Sequence, residues 1–163
     1  MRINVGDLVG YRAADGQLVG ADQFFSGGRA ELLNGLSGGG FVKASELPKR
    51  KTIAGASDAA LYEGYRTGDF SYDIPIPNGT WKVTVNSFET IAALVDTRTF
   101  NVIANGSTQL KAWSPGKIAG GSLKAADATF KVKVVDGHLR LQFESVGGPA
   151  LVAAIVVVPA IAP

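Results

Sequence analysis

The feature that most constrains this chain is residues 70–88, FSYDIPIPNGTWKVTVNSF, where two alternating runs meet at an Asn-Gly pair. Ile74 and Ile76 alternate with Asp73, Pro75 and Pro77. Beyond Asn78-Gly79, Trp81, Val83 and Val85 alternate with Lys82, Thr84 and Asn86. Period-two alternation gives an extended strand one apolar and one polar face. An Asn-Gly pair supplies the positive φ angles of a tight reversal, so the stretch predicts a β-hairpin. Pro75 and Pro77 lack N–H donors, which predicts that the first strand lies at an edge or pairs on one side only.

The same pattern recurs along the chain. Residues 2–5 read as a short opening strand. Phe100, Val102 and Ala104 alternate up to Asn105-Gly106, a second hairpin signal. Phe130, Val132 and Val134 run to Asp136-Gly137, and Leu139, Leu141 and Phe143 follow as a third. Residues 151–158 are continuously apolar, as expected of a strand buried on both faces. Residues 57–62 read as one helical turn with Ser57 as N-cap. Residues 21–28 are polar-aromatic without helical period, 29–45 are irregular, and Trp113-Ser114-Pro115-Gly116 reads as loop. At least six strands, three Xaa-Gly turns and no long helix predict an all-β fold, a two-sheet antiparallel β-sandwich. Trp81, Phe100, Phe130 and Phe143 are its expected inward rings, each stabilising by ~1.5–3 kcal/mol through burial.

With 163 residues, positions 1–163 form one domain with room for a substantial core. The abrupt start and the closing Pro159-Ala160-Ile161-Ala162-Pro163 suggest a module excised from a longer multidomain chain. Sixteen basic and fourteen acidic residues are too evenly balanced for a nucleic-acid partner. The apolar run 150–161 is shorter than the ~18–20 residues of a membrane span, and no signal peptide is visible. Pro48-Lys49-Arg50-Lys51 reads as a solvated basic loop.

Signals for chemistry are sparse. Gly35-Leu36-Ser37-Gly38-Gly39 fits a nucleophile-elbow spacing, with Asp136 and His138 following in hydrolase order. That motif needs a buried strand before the serine and a helix after it, and neither flank supplies them. Asp22, Asp58, Glu63, Glu89 and Asp96 are candidates for a carboxylate pair, which needs ~5–10 Å spacing across a cleft. One histidine and no cysteine exclude a typical zinc site. Calcium held by carboxylates and carbonyls would be structural, but no Asp-x-Asp spacing supports it. No metal ligand or cofactor is therefore assigned.

Several segments, in order, resemble the malectin and malectin-like domains. They are Ile3-Asn4-Val5-Gly6, the 21–28 segment ADQFFSGG, Ala60-Leu61-Tyr62 with Tyr65, and the 70–79 segment FSYDIPIPNG. Phe88-Glu89, Phe100-Asn101-Val102, Asn105-Gly106 and the closing strands over 130–158 complete the set, which spans almost the whole chain. The resemblance implies a jelly-roll-like sandwich that binds carbohydrate without catalysis. It further implies a plant or microbial polysaccharide as partner, a linked catalytic domain in the parent chain, no membrane contact, and a secreted or extracellular setting. Tyr65 stands where the family places a sugar-binding tyrosine. Ile91-Ala92 replaces an expected aromatic pair, Gly147-Gly148-Pro149 replaces an expected aspartate, and Phe41 is the candidate stand-in for a further aromatic. These departures argue against glucose-type specificity.

A pyranose presents an apolar C–H face and a rim of hydroxyls, so its site combines an aromatic platform with a few orienting polar groups. On that chemistry the candidate carbohydrate-binding residues are Tyr65, Tyr62, Arg66, Glu89, Trp113 and Phe41. The alternatives are a structural or interaction sandwich that has lost the sugar pocket and, more distantly, a small glycan-active enzyme.

Overall fold

The computed structural model describes residues 1–35 and 49–160, so Ser37 and Phe41 lie outside the described residues. Twelve strands are described: β1 (Arg2–Asn4), β2 (Tyr11–Arg12), β3 (Leu18–Val19), β4 (Phe25–Leu32), β5 (Gly64–Pro75), β6 (Gly79–Ser87), β7 (Phe100–Ala104), β8 (Ser107–Trp113), β9 (Ala126–Val134), β10 (His138–Ser145), β11 (Leu151–Val152) and β12 (Ala154–Pro159). A four-stranded sheet runs β1-β12-β6-β9. It faces a six-stranded sheet, β11-β5-β10-β7-β8, in which β4 also pairs with β5. Within both sheets the pairs are antiparallel. The expected all-β sandwich is the observed architecture.

Strand alternation builds the core. Val83 and Val85 from one sheet meet Phe70, Tyr72, Ile74, Leu139, Leu141 and Phe143 from the other. Phe100 and Phe143 are fully inside as expected, whereas Trp81 and Phe130 pack against the core part-buried. A second cluster gathers Ile53, Leu61, Tyr62, Tyr65 and Phe88 with Ala13 and Val19 of the β2–β3 hairpin. That cluster seats residues 53–62 on the sandwich.

The 70–88 hairpin does not form. β5 belongs to the six-stranded sheet and β6 to the four-stranded one, so Asn78-Gly79 lies on a crossover between layers. Asp136-Gly137 is likewise a crossover, from β9 to β10. The two are tied together: the Ile76 amide donates to the Gly137 carbonyl at 2.9 Å, and the Gly137 amide donates to Asn78 Oδ1 at 2.8 Å. Asn78 thus serves through its side chain, not through a positive φ. Asn105-Gly106, with φ of 45° and 80°, does close a hairpin between β7 and β8. An Xaa-Gly pair marks a reversal, but two stacked sheets offer a reversal two destinations, and only long-range pairing chooses between them.

Other expectations also shift. β5 is no edge strand: β4 covers one side and β10 then β11 the other, while Pro75 sits at its last position. The apolar run 151–158 is buried but divided. β11 pairs with β5, and after Ala153 the chain changes sheet so that β12 pairs with β6 and β1. The single turn near residue 60 is a 3-10 helix, Ala59–Tyr62, capped by Asp58 and not by Ser57. Residues 25–32, read as part of a structureless stretch, form β4 against β5, whose backbone supplies the missing partners. The Ser-Pro-Gly loop opens a short helix α1 (Pro115–Ala119), N-capped by Ser114 and ended by Gly120 at φ 69°.

Candidate functional site at the loop end of the sandwich

At one end of the sandwich β5 begins, β6 ends, β7 begins and β10 ends. Connections 88–99 and 146–150 lie there beside residues 59–63. The chain brings Tyr62, Tyr65, Arg66, Glu89 and Trp113 to this end. All five are buried, with exposures of 1%, 8%, 4%, 0% and 7%.

Each of the five has a partner within the protein. Arg98 Nε donates to Glu89 Oε2 at 2.6 Å, and its Nη1 donates to the Pro149 carbonyl at 2.6 Å. The other Glu89 oxygen accepts the Ile91 amide at 2.9 Å. This buried pair therefore fastens connection 88–99 to connection 146–150. Arg66 binds Asp22 through Nη2 at 2.6 Å, and its guanidinium lies 3.6 Å from the centre of the Phe25 ring. Trp113 is the last residue of β8, edge-on to Phe100 at 5.3 Å. Its indole serves the core.

Every tyrosine donates its hydroxyl to a carboxylate: Tyr11 to Asp58 at 2.9 Å, Tyr62 to Asp127 at 2.7 Å, Tyr65 to Glu31 at 2.7 Å and Tyr72 to Asp22 at 2.6 Å. Burial, reinforced by the adjacent negative charge, raises all four phenols above their ordinary range. They remain neutral donors at physiological pH.

Where this end reaches solvent, the polar chain is Tyr65, Glu31 and Arg29. Arg29 Nε donates to Glu31 Oε1 at 2.7 Å, with the guanidinium largely exposed and the carboxylate partly so. The Tyr65 hydrogen bond, then Arg29 and the charge of Arg98, hold the Glu31 carboxyl below its usual range against the opposing effect of burial. Ile91, Ala92 and Ala93 are exposed alongside. Gly148 sits at φ 130°, and a Cβ on Gly147 would overlap the Thr97 carbonyl oxygen. The close approach of these two connections explains glycine at 147, and the positive φ explains it at 148.

A malectin domain family model matches residues 1–156. The chain belongs to the malectin domain family. Its fold is similar to a segment of a Bacteroides uniformis β-glucuronidase, with TM-score 0.74 and 16% identity over 96% of this chain and 17% of that one. It is similar to the ANX2 ectodomain from Arabidopsis thaliana, with TM-score 0.71 and 13% identity over 96% and 48% of the two chains. A chain in the complex of the plant peptide RALF23 with FER and LLG2 gives TM-score 0.71 and 14% identity over 96% and 47%. This malectin domain thus spans less than half of each of these solved chains. A search of curated protein sequences finds no match.

Sequence reasoning missed Arg29, Glu31 and Arg98. Only the Arg29-x-Glu31 spacing on an alternating run could have signalled the first two, because it puts both on one face of a strand. Nothing local marks Arg98 as the partner of Glu89. Phe24 and Phe25 were read merely as polar-aromatic, yet they are the exposed phenylalanines among the described residues.

Proposed function

We propose that this malectin domain is a non-catalytic carbohydrate-binding module, carried in a larger extracellular protein beside a catalytic domain. The observation that carries the reading is the Tyr65–Glu31–Arg29 chain at the loop end. There Tyr65 fixes the Glu31 carboxylate from beneath, and the exposed part of that carboxylate and the open Arg29 guanidinium remain as the acceptor and donor that engage sugar hydroxyls. Arg66 and Glu89 act beneath that rim by holding backbone, Tyr62 and Trp113 by packing and side-chain contacts, and Phe41 is the remaining ring proposed for the platform. Membership of the family and the β-glucuronidase likeness support the accessory role. The non-catalytic reading gains from the hydrolase candidates: the His138 ring bonds Asp73 at 2.7 Å and not Asp136, whose carboxylate accepts from Arg140 at 2.6 Å, so the expected Asp136–His138 pair is not assembled.

The test is a glycan array with the isolated module, with Glu31→Gln as the probe of the rim. Retention on a polysaccharide that falls about tenfold in Glu31→Gln, with the fold retained and the melting temperature only slightly lowered, is expected. Absence of retention on every glycan overturns the reading, and steady release of reducing ends overturns the non-catalytic part.

A second reading, a protein-interaction module, is favoured by Ile91, exposed where a sugar pocket would carry a ring. The complex that contains the peptide RALF23 shows that fold relatives occur in protein assemblies.

A further inference from the structure

On the outer face of the four-stranded sheet lies a cleft of about 370 Å³, lined by none of the rim residues Arg29, Glu31 and Tyr65. Its floor follows from strand register. Arg2, Val156 and Thr84 form one cross-strand row, and Asn4, Ala154, Asn86 and Asp127 form the next. Val83 and Val85 point into the sandwich core, so Thr84 and Asn86 face the opposite way, toward the cleft. The walls are the β2–β3 hairpin, through Ala14 and Asp15, and the residues Ser57, Asp58 and Leu61.

The decisive group is Asn86. It is 5% exposed and belongs to the cleft lining, and its Oδ1, closed off at the floor, accepts no hydrogen bond from another group of the protein. The orientation of the amide is set by its neighbour: Tyr62 gives its hydrogen to Asp127 and so offers Asn86 only a lone pair, which Nδ2 meets at 3.4 Å. Turning the amide over would set oxygen against oxygen. A buried carbonyl without a donor has lost its hydration for nothing in return, so a donor entering from the cleft is a natural partner. Arg2 Nε, beside the same cleft, is also unmatched, although Nη2 binds Asp15 at 2.7 Å.

We infer that this cleft is a second ligand site, distinct from the loop-end rim, for one hexose-sized polyhydroxylated unit that is neutral or carries an ammonium group. The volume lies within the range of small-molecule sites. Asp58 and Asp127 accept from hydroxyl or ammonium hydrogens at the cleft surface, the hydroxyls of Ser57 and Thr84 serve either role, and Asn86 Oδ1, closed off at the floor, accepts after a small turn of its side chain. Three carboxylates (Asp15, Asp58 and Asp127) face one guanidinium, Arg2, so the field favours a cation and repels a carboxylate. They do not form a metal cage: among the described residues no three His, Cys, Asp or Glu groups converge on a common point.

Amide NMR titration of the isotope-labelled module with D-glucosamine, D-glucose and D-glucuronate tests the inference, at about pH 6 where the amino sugar is protonated. Saturable shifts at Ala14, Ser57 and the Asn86 side-chain amide are expected, strongest for glucosamine, weaker for glucose and absent for glucuronate. Ala14 is exposed on the cleft wall, so Ala14→Trp fills the space without disturbing the core and should weaken binding at least about tenfold. Glu31→Gln should leave these shifts unchanged, which separates this site from the loop-end reading. Absence of saturable shifts with all three sugars overturns the inference. So do equal shifts in Ala14→Trp, or glucuronate binding as well as glucosamine.

Discussion

The loop end and the outer-face cleft are built from the same residue types and treat them oppositely. At the loop end, Glu89 satisfies Arg98 and an amide, Arg98 also takes the Pro149 carbonyl, and Tyr65 is spent on Glu31. In the cleft, Asn86 Oδ1 and Arg2 Nε are left without partners. Polar groups that satisfy one another fasten a structure, whereas polar groups left over define where a ligand has something to gain. Residue type alone therefore does not separate a binding residue from a framework residue.

The largest expected effect comes from cutting the fastening. Arg98→Ala strands a fully buried Glu89 carboxylate and should cost ~3–5 kcal/mol in urea unfolding. Arg2→Ala, at the cleft, breaks a pair that is open to water and should cost no more than ~1 kcal/mol. Equal losses in the two variants would erase the contrast between the regions.

Restoring the aspartate that malectin relatives are expected to carry before the proline sharpens the comparison. Gly148→Asp puts a side chain at φ 130°, a backbone conformation that costs ~1–3 kcal/mol, and a thermal melt should show the loss. A variant as stable as the parent would mean that the loop end relaxes freely.

The smallest effect is in acid. Glu31 ionises below its ordinary pKa of 4.5 because Tyr65 and Arg29 stabilise the carboxylate. Its contribution is present in full above about pH 4.5 and is lost as pH falls through the lowered folded value. Stability against pH should thus drop slightly more steeply in the parent than in Glu31→Gln. Superimposable curves would show that the Tyr65–Glu31 contact contributes nothing.

How far the sequence could be read varied with the range of the interaction. Alternation in 79–87, 100–104 and 138–145 revealed strands and their inward residues, because one strand's faces depend only on its own period. Asn105-Gly106 revealed a hairpin because its geometry is local. The same signal misled at Asn78-Gly79 and Asp136-Gly137, where the chain changes sheets. Tyr62, Tyr65, Arg66, Glu89 and Trp113 lie at one end of the fold, Trp113 on β8 and not in the expected loop, and no local rule said that the polar groups would be consumed.

By itself, then, the sequence determined the alternating strands, the sandwich and the family, since each follows from short-range periodicity or from ordered motifs. Tertiary structure alone decided which strands pair, that Arg98 answers Glu89, that Tyr62 turns the Asn86 amide, and that the Asn86 carbonyl oxygen is left without a protein donor. Those outcomes depend on groups separated by 9 to 65 residues, brought together only when two sheets close over one core.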